Sequence, residues 1–215
     1  MKEYYNMKRG LVLDFETMGT KTQDCAVIDC SYFVFDTEKM LSSTPYTQFS
    51  IKDMKKFKFS VKEQVDKYGS KVYSDTIKFW QEQSKEVRDM IKPLSTDRSV
   101  SDFTSELISY MSKQGKIDYW WSRSNAFDPI ILWRLFESQN KTHIINEYLP
   151  HWKVRDTRTF IDAKLDFPKI NGFIPINNHE AWEAKFKQHD SSWDILADIL
   201  RIQAILRAEQ DLKLI

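Results

Sequence analysis

Cysteine is scarce in this 215-residue chain, with only Cys25 and Cys30 present. Five residues apart in one predicted strand, they point to opposite faces, which argues against a mutual disulfide or a thiolate metal pair. They read as buried, reduced thiols of a cytosolic protein. Glycine is nearly as rare, at five residues. None of it forms a Gly-x-x-x-x-Gly-Lys phosphate loop, and no Ser-His-Asp order with a nucleophile elbow is visible. No apolar run approaches the roughly 20 residues needed to cross a bilayer. The opening Met1-Lys2-Glu3-Tyr4-Tyr5-Asn6 predicts no signal peptide, and no internal repeat or low-complexity segment occurs. An excess of one charge is also missing: 32 Lys and Arg stand against 31 Asp and Glu. A polyanionic ligand would therefore be held by local cations rather than by a bulk positive field. What remains is ordinary for a soluble protein, 41% hydrophobic and 29% charged, and the length predicts a single domain over residues 1–215.

The most informative segment is Leu11-Val12-Leu13-Asp14-Phe15-Glu16-Thr17-Met18-Gly19. Three consecutive aliphatic residues predict a strand buried on both faces, where charge is least welcome. Side chains alternate along a strand, so Asp14 and Glu16 share a face while Phe15 enters the opposite layer. Adjacent carboxylates repel and are costly to ionise near a core. A hard divalent cation with oxygen ligands removes both costs. A half-exposed strand end whose acids face water meets the same pattern.

Two further segments bear on the choice. Trp120-Trp121-Ser122-Arg123-Ser124-Asn125-Ala126-Phe127-Asp128-Pro129-Ile130 predicts an aromatic strand, a polar turn and a helix beginning near Asp128. Asp before Pro is also an ordinary helix start. His189-Asp190-Ser191-Ser192-Trp193-Asp194 opens the last helix, with Ser191 and Asp194 at capping-box spacing. His189 and Asp194 lie about 500° apart around a helix. The histidine is therefore expected at or before the cap, leaning over the first turn.

In order and spacing, Asp14-Phe15-Glu16-Thr17, Asn125-Ala126-Phe127-Asp128 and His189 with Asp194 resemble the DEDDh 3′→5′ exonucleases. Within them the chain is most similar to the phage exonuclease A (DexA) type and its exoribonuclease relatives. Thr76-Ile77-Lys78-Phe79-Trp80-Gln81-Glu82-Gln83-Ser84 and Arg155-Asp156-Thr157-Arg158-Thr159 carry the same likeness. It spans about residues 10–205, and Phe79 and Trp193 depart from the usual pattern. The resemblance implies a ribonuclease H-like α/β fold: a mixed sheet, antiparallel in its first three strands, with helices on both faces. It implies two Mg²⁺ ions, with Mn²⁺ as a substitute, held by Asp14, Glu16, Asp128 and Asp194. In that scheme Asp14 bridges both ions, Glu16 and Asp194 complete the nucleophile side, and Asp128 supports the leaving-group side. His189 is the general base, and single-stranded nucleic acid is cut from its 3′ end to nucleoside 5′-monophosphates. DNA is the preferred polymer and RNA the alternative. A third reading, a nucleic-acid-binding module without catalysis, predicts a missing carboxylate or histidine. The phage likeness places the protein in a host cytoplasm, expects no membrane partner and leaves a homo-oligomer open.

The substrate contacts rest on the same likeness. Backbone groups of Thr17 and Met18 resemble those that cradle a terminal nucleotide, with the Met18 side chain wedged against a base. Asn125 meets the terminal sugar or orders its turn. Trp80 stacks on a base or is core. Lys52, Lys55, Lys56, Lys58 and Lys62 contact phosphate or form a solvated face, Arg158 pairs within the fold, and His143, His151 and His179 are structural or surface.

Periodicity predicts strands near 10–15, 25–35, 46–51 and 117–122. It predicts helices over 60–67, 74–91, 99–113, 129–138, 155–164 and 190–210. Val100, Phe103, Leu107 and Met111 form the core face of 99–113, and 165–188 reads as a loop leading to His189.

Overall fold

A computed structural model describes residues 9–36, 51–165, 173 and 186–212. The first strand, β1, runs Arg9–Thr17 and turns directly into β2, Val27–Asp36, which pairs with it antiparallel. That connection is too short for a crossover helix, so antiparallel pairing is the only solution. β3, Lys55–Lys58, adds antiparallel to β2. β4, Tyr119–Ser122, and β5, Val154–Asp156, join the other edge in parallel, giving the order β3-β2-β1-β4-β5. The mixed sheet, antiparallel through its first three strands, is as the sequence predicts.

Helices follow in chain order: α1 Val61–Tyr68, α2 Ser74–Glu82, α3 Lys85–Ile91, α4 Val100–Gln114, α5 Asp128–Glu137, α6 Thr142–Tyr148, α7 Thr157–Leu165 and α8 Ser191–Leu212. Alternation along β1 divides the core. Leu11, Leu13 and Phe15 pack with Val100, Phe103, Leu107 and Met111 of α4 and with Ile131, Leu132, Leu135 and Phe136 of α5. Val12 faces the other way, with Trp121 and with Ile195, Leu196, Ile199, Leu200 and Ile202 of α8. Asp14 and Glu16 are in phase with Val12, so they emerge on the α8 side. Burying a Leu- or Ile-sized side chain is worth about 1.5–3 kcal/mol, and these two layers fix how α8 lies against β1.

Several boundaries differ from the sequence reading. Residues 46–50 lie outside the described residues, Ile51–Asp53 is a 3₁₀ turn, and the third strand is Lys55–Lys58. Its lysines conceal it, because only Phe57 points to the core. The helix expected over 74–91 breaks at Gln83, where Ser84 accepts the Val87 N–H at 3.3 Å and starts a new one. The helix expected from 155 starts at Thr157, because Val154–Asp156 pairs with β4. Most of the loop expected over 165–188 lies outside the described residues. Cys25 precedes β2 and bridges to Lys71, so the single-strand parity argument fails. Both thiols are free and buried in the same core layer.

Candidate active site

The bulge between Glu16 and Thr17 ends regular pairing where β1 delivers its carboxylates. Across from them, α8 starts at Ser191 and places Asp194 in its first turn. Carboxylate oxygens of Asp14, Glu16 and Asp194 lie within 4.8 Å of one another. Asp128, the first residue of α5, is buried, and its Oδ1 accepts the Phe15 N–H at 3.2 Å. All four acids and His189 line one cavity of about 640 Å³.

His189 has φ of 63°, a left-handed conformation at the residue before Asp190. Its ring meets Phe79 edge-on at 5.0 Å between centroids and Trp80 at 6.0 Å. The helix start just beyond it is capped by Asp190, whose carboxylate accepts the Ser192 N–H at 3.1 Å. Ser191 serves elsewhere: its hydroxyl donates to Asp29 at 2.5 Å and pairs with the Ser31 hydroxyl at 2.7 Å. Lys56 reaches Asp190 at 2.8 Å and Asp29 at 3.4 Å. This buried polar chain ties the start of α8 to β2 and β3.

Packing acids together raises their affinity for protons. Burial, then the charges of Asp128, Glu16, Asp194 and Asp198, hold Asp14 well above the usual carboxylate range. Burial, then Asp29 and Asp194, do the same to Glu16 against the pull of Lys56. Asp128 is pushed up to about 7 by burial, although the Phe15 and Asp128 N–H groups oppose the shift. Asp194 is pushed up to about 7 by burial and by Asp198 and Asp190. A converging all-oxygen donor set of this kind fits a hard divalent cation, and it offers no thiolate for zinc. Burial shifts His189 the other way, below its ordinary value, which keeps the ring neutral at neutral pH.

The five predicted chemical residues are thus brought to one cavity, but the predicted substrate contacts are not. Trp80 is 4% exposed, and its indole N–H donates to the Thr17 carbonyl at 3.0 Å. It forms a floor beneath the site, packed with Ile28 and Val87, and Phe79 beside it is 39% exposed. The Thr17 carbonyl and both backbone groups of Met18 are committed within the fold. The Met18 N–H donates to Ala26 at 2.8 Å, its carbonyl accepts from Tyr73, and the Thr17 hydroxyl donates to Gly19. The Met18 side chain packs on Ile28, Trp80 and Val87. Asn125 is exposed and lies outside the cavity lining, and its backbone N–H donates to Asp156 at 3.0 Å. Of the lysine patch, Lys56 and Lys58 are engaged internally, Lys62 pairs with Asp66 at the surface, and Lys52 and Lys55 are exposed.

Sequence reasoning missed Asp198, Arg123 and Arg201, which line the same cavity, as does Arg158. Asp198 accepts from Arg123 at 2.6 Å and from Arg201 at 3.1 Å. A signal existed: Asp194, Asp198 and Arg201 fall at i, i+4 and i+7, one helix face.

The family described as the 3′-5′ exoribonuclease Rv2179c-like domain matches residues 9–194. The exodeoxyribonuclease of Enterobacteria phage T4 is 29% identical over 220 residues, covering 91% of this chain and 88% of that protein. Among solved structures, product-bound exonuclease I superposes with a TM-score of 0.54 at 12% identity, over 95% of this chain and 45% of its own. One chain of the structure of the yeast NOT1 MIF4G domain co-crystallised with CAF1 gives a TM-score of 0.54 at 11% identity, over 97% of this chain and 83% of the matched one. At such identities the likeness is one of fold, and this chain spans less than half the length of exonuclease I.

Proposed function

We propose, from the premise that this chain belongs to the Rv2179c-like 3′-5′ exoribonuclease domain family, within the DEDDh-type exonucleases, that it degrades single-stranded DNA stepwise from the 3′ end. The products are nucleoside 5′-monophosphates. The observation that carries this reading is the convergence of Asp14, Glu16 and Asp194 oxygens within 4.8 Å, beside Asp128 and His189.

Asp14, Glu16 and Asp194 would hold one divalent cation, and Asp14 with Asp128 a second; Mg²⁺ suits this oxygen set and Mn²⁺ substitutes. Bound there, two cations supply Lewis-acid charge to the attacking and leaving oxygens of an in-line displacement. His189 accepts the proton of the attacking water on a ring nitrogen. Its lowered proton affinity keeps that nitrogen free at neutral pH. The water oxygen bonds to phosphorus, the bond from phosphorus to the 3′-oxygen breaks, and that oxygen takes a proton from solvent. Phe79 and Trp80 hold the imidazole edge-on. The chain from Lys56 through Asp190, Asp29, Ser191 and Ser31 sets the start of α8, and so the distance between His189 and Asp194.

DNA is favoured because the T4 relative, matched over nearly its whole length, is an exodeoxyribonuclease. RNA is the second reading, because the family description names an exoribonuclease. The test compares 5′-labelled DNA and RNA oligonucleotides of one sequence with Mg²⁺. A ladder shortening from the 3′ end, faster on DNA, is expected. Faster RNA trimming would reverse the preference, and internal cuts or no cuts on either would overturn the reading.

A further inference from the structure

The cavity that holds the carboxylates also receives three guanidiniums: Arg123 from the turn after β4, Arg158 from the first turn of α7 and Arg201 from α8. Asp198 is the carboxylate that binds two of them, Arg123 and Arg201, and it is 4% exposed. Phe173 covers both, at 4.0 Å and 5.0 Å from their guanidinium carbons. Arg158 makes no ion pair among the described residues, and the Nε atoms of Arg158 and Arg201 are buried without a hydrogen-bond partner. Leaving a buried donor unmet costs about 1–3 kcal/mol, and more when it is charged. A guanidinium presents a planar fork that matches two oxygens of one phosphate.

Position decides which phosphate. Asp194, Asp198 and Arg201 run in that order along one face of α8, and a helix rises about 1.5 Å per residue. The Arg201 backbone therefore lies roughly 10 Å along the axis from Asp194, and its guanidinium folds back onto Asp198, one turn on from Asp194, so it stands beside a group seated on Asp14, Glu16 and Asp194 rather than on it. α7 packs against α8 and brings Arg158 into the same cavity.

We propose that Arg158, with Arg123 and Arg201 oriented by Asp198, forms a subsite for a phosphodiester on the 5′ side of the scissile one. The subsite rests on the exonuclease reading and deepens it. It makes the enzyme recognise a strand rather than a lone nucleotide, and it reads charge rather than base.

The experiment pairs two substrates. A single-stranded DNA oligonucleotide presents the flanking phosphate, whereas the p-nitrophenyl ester of thymidine 5′-monophosphate presents only the scissile group. Arg158→Gln should raise KM for the oligonucleotide about tenfold or more and leave hydrolysis of the ester unchanged. In Ca²⁺, fluorescence anisotropy with a labelled oligothymidylate should give a slope of log affinity against log salt shallower by about 0.7, one single-strand phosphate contact. Arg158→Lys keeps the charge without the fork, so it should retain the slope and lose part of the affinity. Equal losses on both substrates would make Arg158 a support of the carboxylate centre and overturn the subsite, as would no loss on either. A wild-type protein that cleaves neither substrate would remove the exonuclease reading itself.

Discussion

Asp128→Asn should stabilise the cation-free protein while abolishing its activity. The Asp128 carboxyl is raised from its ordinary 3.8 to about 7, chiefly by burial. Below about 4 the folded and unfolded forms both carry the proton. Between about 4 and about 7 the folded form holds it more tightly, so stability falls as pH rises through that window. Above it the full cost of the buried charge is present, about 4 kcal/mol at 1.36 kcal/mol per pKa unit. Asparagine keeps an oxygen for the Phe15 N–H and removes the charge. Two effects reduce the gain. A carboxylate at a helix start is worth about 0.3–1 kcal/mol, and Asp14 and Asp194, raised alongside Asp128, share the relief by taking protons themselves. The net expectation is about 1–3 kcal/mol at pH 8, a rise in Tm of roughly 2–10 °C for a chain of this size. Circular dichroism melts in chelator at pH 5 and pH 8 measure it: the gain should shrink at pH 5, where the wild-type carboxyl is largely protonated. An added divalent cation should raise the wild-type Tm more than the variant's. A variant less stable at pH 8, equally stabilised at both pH values, or still active would refute the argument.

His189→Ala should lower kcat by about 10²–10⁴ while calorimetry still detects cation binding. Because burial lowers the His189 pKa and only the neutral ring accepts a proton, the acid limb of the wild-type rate should have its midpoint below about 6.5; a midpoint above 7 would contradict that assignment. Mg²⁺ and Mn²⁺ should support turnover and Ca²⁺ should not, since its longer, looser bonds misplace the reacting groups; comparable rates in Ca²⁺, or activity in excess chelator, would count against the cation assignment. Trp80→Ala should cost about 3–5 kcal/mol in a denaturant titration, as for a buried tryptophan. Phe79→Ala, at a half-exposed position, should leave the Tm nearly unchanged and slow cleavage; the reverse ranking would undo the distinction between floor and wall.

The five chemical residues were legible because each sits where a local pattern changes. Asp14 and Glu16 end a strand that is otherwise apolar, Asp128 opens a helix ahead of a proline, and His189 and Asp194 straddle the start of another. Strand parity alone put both β1 acids on one face, and the structure keeps them there. Periodicity likewise located α4 and its core face. The surroundings of the expected substrate contacts were not legible in the same way. Nothing near Trp80 in the chain says that its N–H meets the Thr17 carbonyl, 63 residues away. Nor does anything near Lys56 announce Asp29 and Asp190 as its partners. Burial and pairing of this kind belong to the packing of distant elements, which local propensity does not encode. Residue types and faces were therefore set by period and sterics along the chain. The 4.8 Å convergence of Asp14, Glu16 and Asp194, and the arrival of Arg158 and Arg201 in the same cavity, depended on Val12 and Trp121 packing against Ile195 and Ile199. Hydrophobic burial holds those carboxylates together against a repulsion they could not overcome alone.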